Sequence, residues 1–345
     1  MNTPNPHDPE SHATGCSRTV PFQPDNNEIF SGATLSGRRE FASPTIEGSA
    51  RPLELAPGYR IPDGRLFTSC LSRENRFIIP RDTQALILDF DGTTAPLNLS
   101  EGIRQKAFRR VIVEVLSNYF AETDRDRSVT RADIVRCHNP AIGYPEREMS
   151  TKISESLRDH YQVNVQPEDI FSRWVDYTCQ LVSQVKSNST TSGRATIVPG
   201  LVPILHQALE RNIPIAKCTN GAAEFVKVLG QAIGITPFLH PTANVYTNRH
   251  PNIKPKPAPD PYLLACDNLK VDPKKVVIAE DSATGALAGL RAGGLVLLQP
   301  SEKRFETFMK VHDTVQREHP QWFEERQGRV VLLARHRGFK QVAFA

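Results

Sequence analysis

A three-layer α/β fold, in which helices cover both faces of a parallel sheet, is predicted by three features of the sequence. Continuous apolar runs recur at Ala85–Leu88, Ile213–Cys218, Val276–Ala279 and Leu295–Leu298. Each is short and mainly apolar, Lys217 being the one charged residue, as strands buried on both faces are. Helical stretches stand between the runs, and such alternation builds parallel sheets. The runs also end in polar residues: Asp89 and Asp91, Thr219 and Asn220, Glu280 and Asp281. Ligands gather at the carboxyl ends of parallel strands, so three strand ends converge on one crevice.

The chain has 345 residues, with 42 Lys+Arg against 38 Asp+Glu and 39% hydrophobic residues, which suits two ordinary globular domains. A net charge of +4 creates no strong field for nucleic acid, and no apolar run approaches the roughly 20 residues of a membrane span, so neither partner is expected. Cys16, Cys70, Cys137, Cys179, Cys218 and Cys266 stand far apart without metal-ligand spacing. They read as separate thiols in a reducing compartment.

Residues 1–80 contain ten prolines, eight arginines, nine acidic residues and no lysine, with apolar residues in no sustained helical or strand period. No core follows from that pattern, and a disordered extension is expected. The segment lacks the apolar stretch of a secretory signal, and Asp8 and Glu10 argue against a mitochondrial presequence. A cytoplasmic location is therefore expected, with export through an unfolded leader left open as the alternative. Of Arg65–Leu71 and Arg76–Ile79, short pieces that could dock on the folded part, only the second lies close enough to the next element to be expected to do so.

Order is expected to begin with the run at Ala85. Side chains two apart on an extended strand share a side, so Asp89 and Asp91 face one space while Phe90 turns into the packing. Two carboxylates so close repel unless a proton or cation joins them. Glu280 and Asp281 arriving from another strand suggest a hard divalent cation such as magnesium. Gly92 lets backbone approach a ligand closely. Taken alone, an acidic turn after a strand accounts for Asp89–Thr93 equally well.

The 128 positions from Asp91 to Thr219 exceed any ordinary connection, so a helical unit is expected at 99–195, interrupting a sheet domain formed by 81–98 and 196–300. Ser100 can cap a helix through Ile103, Ala107, Val111, Leu116 and Phe120, and Ile153–Leu157 and Ile170–Val185 also read as helical. Arg136, His138 and Arg147 are its candidates for meeting a second anionic group. Residues 301–345 extend the core, with a helix at Phe305–His319 and a strand at Val330–Leu333 packed at the sheet edge.

Four segments in order, Asp89–Thr93 (DFDGT), Thr219 after Ile215–Cys218, Lys256 in KPAPDPY, and Glu280–Gly285 (EDSATG), resemble the motifs of the haloacid dehalogenase-like (HAD) superfamily. The spacings of 37 residues from Thr219 to Lys256 and 25 from Lys256 to Asp281 suit one strand-helix unit each. The branch most similar contains sugar-phosphate phosphatases, phosphoglycolate phosphatase and β-phosphoglucomutase. Thr94-Ala95-Pro96-Leu97 departs from close relatives, which more often carry an apolar residue followed by Asp-Ser or Asp-Thr.

The resemblance implies a Rossmann-like core with an inserted cap. It implies that Asp89 attacks the substrate phosphorus, ionised at neutral pH if its pKa is the ordinary value of about 3.9. Asp91 would serve as acid and then base. Gly92, Thr219, Asn220 and Lys256 would bind the phosphoryl group. Asp89, the Asp91 carbonyl, Asp281 and Glu280 would hold Mg2+. Lys254 is a local rival to Lys256. The expected activity is hydrolysis of a small phosphorylated metabolite. Phosphomutase or phosphotransfer chemistry is one alternative, and an effector whose N-terminal segment sets its role through an unknown protein partner is another.

Overall fold

A computed structural model describes residues 53–56, 59–61, 67–70, 77–123, 127–188, 197–299, 304–325, 329–333 and 338–344. The strands in chain order are β1 (Leu53–Ala56), β2 (Tyr59–Ile61), β3 (Phe67–Cys70), β4 (Phe77–Ile79), β5 (Ala85–Leu88), β6 (Ile215–Thr219), β7 (Val245–Tyr246), β8 (Val276–Glu280), β9 (Leu295–Leu298), β10 (Val330–Leu333) and β11 (Val342–Phe344). The helices are α1 (Leu97–Thr123), α2 (Arg131–His138), α3 (Glu146–Tyr161), α4 (Pro167–Asn188), α5 (Leu201–Glu210), α6 (Ala223–Ile233), α7 (Asp260–Leu269), α8 (Ala283–Ala292), α9 (Arg304–Glu318) and α10 (Trp322–Glu325).

Seven strands form a parallel sheet in the order β3-β10-β9-β8-β5-β6-β7. Their side chains alternate between two covered faces, as the strand period of two requires. Leu86, Leu88, Ile215 and Val277 join the core under α5 and α6, whereas Ala85, Ile87, Ala216 and Ile278 meet Tyr262, Ala265 and Cys266 of α7 and Ala288 of α8. The chain leaves β5 to one side for β6 and returns on the other for β8. A crevice therefore opens at the carboxyl end of β5, between its neighbours.

Among the described residues the connection from β5 to β6 holds α1 to α5, of which α1 to α4 pack together as the insertion and α5 lies against the sheet. Aromatic packing joins them: Trp174 of α4 stacks on Phe108 of α1 with centroids 5.2 Å apart and meets Phe225 of α6 at 6.1 Å. Glu114 of α1 accepts from Arg173 at 2.7 Å and Tyr177 at 2.9 Å, both on α4. Thr130 and Asp133 form a reciprocal capping box at the start of α2. The expected cap at Ser100 is not what starts α1. The helix begins at Leu97 because Pro96, preset in φ, supplies its first accepting carbonyl to Leu99 and Ser100, and Ser100 lies buried in the second turn.

The expected disordered extension at 1–80 falls mostly on residues outside those described, but its end needs correction. β3 pairs with β10 at the edge of the main sheet, and β4 pairs with β11 in a separate two-stranded sheet. Phe67 and Ile79 are buried. Phe77–Ile79 docks as expected, and Phe67–Cys70, in the piece set aside as too far from the next element, docks as well and is the one that joins the main sheet. β10, expected at the edge, is flanked by β9 and β3. The expected helix at 305–319 is α9, shifted by one residue.

Candidate active site

Asp89 follows the last residue of β5, and its N–H donates to Ala279 O of β8 at 3.0 Å, so sheet pairing continues to the first functional residue. The chain then turns tightly: Thr94 and Ala95 N–H groups both donate to Phe90 O, and the Thr94 hydroxyl donates to Asp89 O at 2.5 Å. Gly92 sits in this turn at φ +82°, and a side chain there would collide with the Asp281 carboxylate. Only glycine meets both demands.

Lys256 reaches the crevice from the loop before α7 and is buried. Its ammonium donates to Asp89 Oδ1 at 2.8 Å, Cys218 O at 2.8 Å and Glu280 Oε1 at 2.7 Å. Burial opposes its charge, but Asp89 and Glu280 outweigh that cost and hold its pKa well above the ordinary lysine value. Lys254 is exposed, which separates the two rivals.

Glu280, at the end of β8, has no exposed surface. Its Oε1 accepts from Lys256 and from Tyr262 OH at 2.5 Å; its Oε2 accepts from the N–H groups of Asp281 and Ser282 and from the Ser282 hydroxyl. Gly285 lets the first turn of α8 pass over this carboxylate, since a Cβ there would overlap it. Asp89, Glu280 and Asp281 nevertheless each offer an oxygen within 4.8 Å of the others.

Burial, then the Glu280 charge, push the Asp89 carboxyl up to about 7 in spite of Lys256. A cation beside Asp89 would oppose that rise and favour the ionised carboxylate. Three carboxylates against one ammonium leave an excess of two negative charges, the charge of one divalent cation. The oxygen-only donor set fits magnesium.

Thr219 ends β6, buried, and its hydroxyl accepts from Gly221 N–H at 3.0 Å. A Cβ on Gly221 would lie 3.3 Å from both Thr219 Oγ1 and Asp91 Oδ2, so hydroxyl and carboxylate face the same small space. Asn220 is bonded otherwise than expected: its amide donates to Lys256 O at 3.3 Å and accepts from Lys256 N–H at 3.2 Å, fastening the lysine loop to the end of β6.

Asp91 meets a residue that sequence reading passed over. Arg104 of α1 donates to Asp91 Oδ2 at 2.9 Å, while Asp91 Oδ1 is buried with no hydrogen-bond partner among the described residues. Arg104 also binds Glu101 at 2.6 Å and Glu146 at 2.9 Å, and Glu146 accepts from Ala222 N–H at 3.2 Å. Tyr262, Ser282 and Glu146 were missed as well. The available signal was a cation at 104 on the same helical stripe as Phe108, Val111 and Val115.

The helical-unit candidates lie elsewhere. Arg136 reaches Tyr161 OH at 3.5 Å, and Arg147 stacks over the Phe171 ring at 4.3 Å. His138 is buried, and burial followed by the Arg109 charge lowers its pKa to about 4, so it stays neutral. None of the three has a hydrogen bond to Asp89, Asp91, Thr219 or Lys256.

The family model of haloacid dehalogenase-like hydrolases matches residues 83–293, which contain every one of these site residues. Validoxylamine A 7'-phosphate phosphatase from Streptomyces hygroscopicus subsp. limoneus is 29% identical over 29% of this chain and 45% of its own length. Hexitol phosphatase A from Escherichia coli is 30% identical over 30% of this chain and 46% of its own length. The matched segment thus spans less than half of each of these relatives. A crystal structure from Thermotoga maritima, of a protein assigned as a beta-phosphoglucomutase, has a TM-score of 0.50 at 20% identity, covering 74% of this chain and 96% of that one, a likeness of fold. With the four motifs gathered at one sheet end and most of the chain matched by the family model, the chain belongs to the haloacid dehalogenase-like hydrolase family.

Proposed function

We propose that this chain is a magnesium-dependent phosphatase that hydrolyses a phosphomonoester of a small sugar-like metabolite. The observation that carries the reading is the buried Lys256 ammonium joined to both Asp89 and Glu280, with Asp281 in the same cluster. That arrangement attracts a phosphoryl group and a dication to one carboxylate. Two of the family relatives are phosphatases by name, acting on validoxylamine A 7'-phosphate and on hexitol phosphate.

In this reading an Asp89 oxygen attacks phosphorus and the ester oxygen departs as Asp91 gives it a proton. Asp91 then takes a proton from water, which attacks the phosphoaspartate, releases inorganic phosphate and restores Asp89. Thr219 and Lys256 bind the phosphoryl oxygens as charge moves across them. Magnesium, when held by Asp89, Asp281 and the Asp91 carbonyl, neutralises the nucleophile and the phosphate together. Glu280 adds charge to that cluster and aims Lys256, and Asn220 fixes the backbone behind it. Helices α1 to α4 act as the cap that closes over the leaving group and excludes bulk water.

The test is phosphate release from a panel of sugar and polyol phosphates. Release with Mg2+, its loss on chelation and its return on adding Mg2+ back are expected. No release from any ester, or release indifferent to chelation, contradicts the proposal. Following isomer formation in the same reactions separates hydrolysis from phosphomutase chemistry.

A further inference from the structure

We infer that Arg104 positions the acid-base residue Asp91; this rests on the phosphatase reading above. A guanidinium remains protonated across the working pH range and can only donate. The Asp91 oxygen that accepts from Arg104 Nη2, Oδ2, is thereby turned toward a permanent cation. The other oxygen, Oδ1, is buried with no hydrogen-bond partner among the described residues, so Arg104 is the partner that sets how the carboxylate is turned.

Arg104 is itself held from several elements. Its side chain is only 11% exposed. Glu101, one turn earlier on α1, binds Nη1, and Glu146 at the start of α3 binds Nε. The Phe225 ring of α6 lies 5.0 Å from the guanidinium carbon, and Trp174 of α4 donates to the Arg104 carbonyl at 3.2 Å. Glu146 uses its second oxygen on Ala222 N–H, three residues beyond Thr219. The posture of Asp91 is therefore tied to the seating of the helical insertion on the sheet domain, through one arginine and one glutamate.

A residue that acts through Asp91 should matter in proportion to how much the leaving group needs a proton. The test uses Arg104→Gln and Arg104→Lys with two esters in Mg2+: sorbitol 6-phosphate, whose alkoxide must be protonated, and p-nitrophenyl phosphate, whose phenolate departs without help. For Arg104→Gln, kcat/KM on the alkyl ester should fall by about 10²-fold, while the first-turnover burst of p-nitrophenolate keeps its rate within about threefold of wild type. Arg104→Lys should recover part of the alkyl-ester rate, since it restores the cation without the fork. The burst amplitude counts folded sites, so a poorly folding variant is still scored per active site. Equal losses on both esters, or no loss on either, overturn the inference. A wild-type chain inactive on both esters contradicts the phosphatase reading itself and takes the inference with it.

Discussion

Lys217 is an unusual residue for a strand floor. It lies buried in β6, two residues before Thr219, with its ammonium 5.1 Å from the Phe90 ring centre and 5.2 Å from that of Tyr246. Burial, then repulsion from Lys227, lower its pKa to about 8, partly opposed by Asp91. Below pH 8 both folded and unfolded chains carry this proton, so the folded state bears the whole desolvation cost. Between about 8 and 10.5 the unfolded state holds more protons, and stability gains as pH rises. Lys217→Met should therefore stabilise the protein by about 1–3 kcal/mol at pH 7, less whatever the two rings return, and the gain should fade toward pH 10. Denaturant unfolding at the two pH values checks this. At this scale the gathering of Asp89, Asp91, Thr219, Lys256 and Asp281 at one crevice was legible because each stands at a strand end or in a short ordered motif. Arg104, Glu146 and Tyr262 were not, because their roles depend on partners 13, 42 and 18 residues away. No local period reports such a pairing.

Among the elements, the helical insertion was visible as a gap too long for a loop, and the apolar spacing of α1 and α4 identified them as helices. What joins the helices to one another was less visible. Asp133 is an example: burial raises its carboxyl, but the Thr130 N–H, the Tyr161 and Thr130 hydroxyls and Arg127 outweigh burial and hold it at about 2. A carboxyl lowered by folding contributes stability that is present above its ordinary value near 4 and lost as pH falls through 2. Asp133→Asn should cost about 1–3 kcal/mol at neutral pH, and the difference from wild type should shrink between pH 4 and pH 2. Thermal melts across that range read the effect, and an unchanged difference at pH 2 would contradict it. The β7 strand was not legible because two residues carry no period, whereas β5, β8 and β9 announced themselves as four or more consecutive buried residues.

Over the whole molecule, the sheet is wider than the family-matched region. Residues 83–293 supply β5 to β8, while β9, β10 and β3 come from chain on either side. Phe67 of β3 packs on Phe308 of α9 with centroids 4.5 Å apart, so a segment that reads as coreless completes the edge of the core. Its partner strand begins at Val330, and pairing over so long a separation leaves no trace in local composition. Phe67→Ala should cost about 3–5 kcal/mol of unfolding free energy. Removing residues 1–80 should lower the melting temperature while leaving the Asp89 chemistry in place, because no described site residue lies before Asp89. That chemistry is the central claim, and trapping the covalent intermediate tests it most directly. After acid quenching of a reaction with 32P-labelled substrate and Mg2+, the wild-type chain should carry label that neutral hydroxylamine removes, and Asp89→Asn should carry none. Label retained by Asp89→Asn, or turnover by that variant at the wild-type rate, would contradict the account.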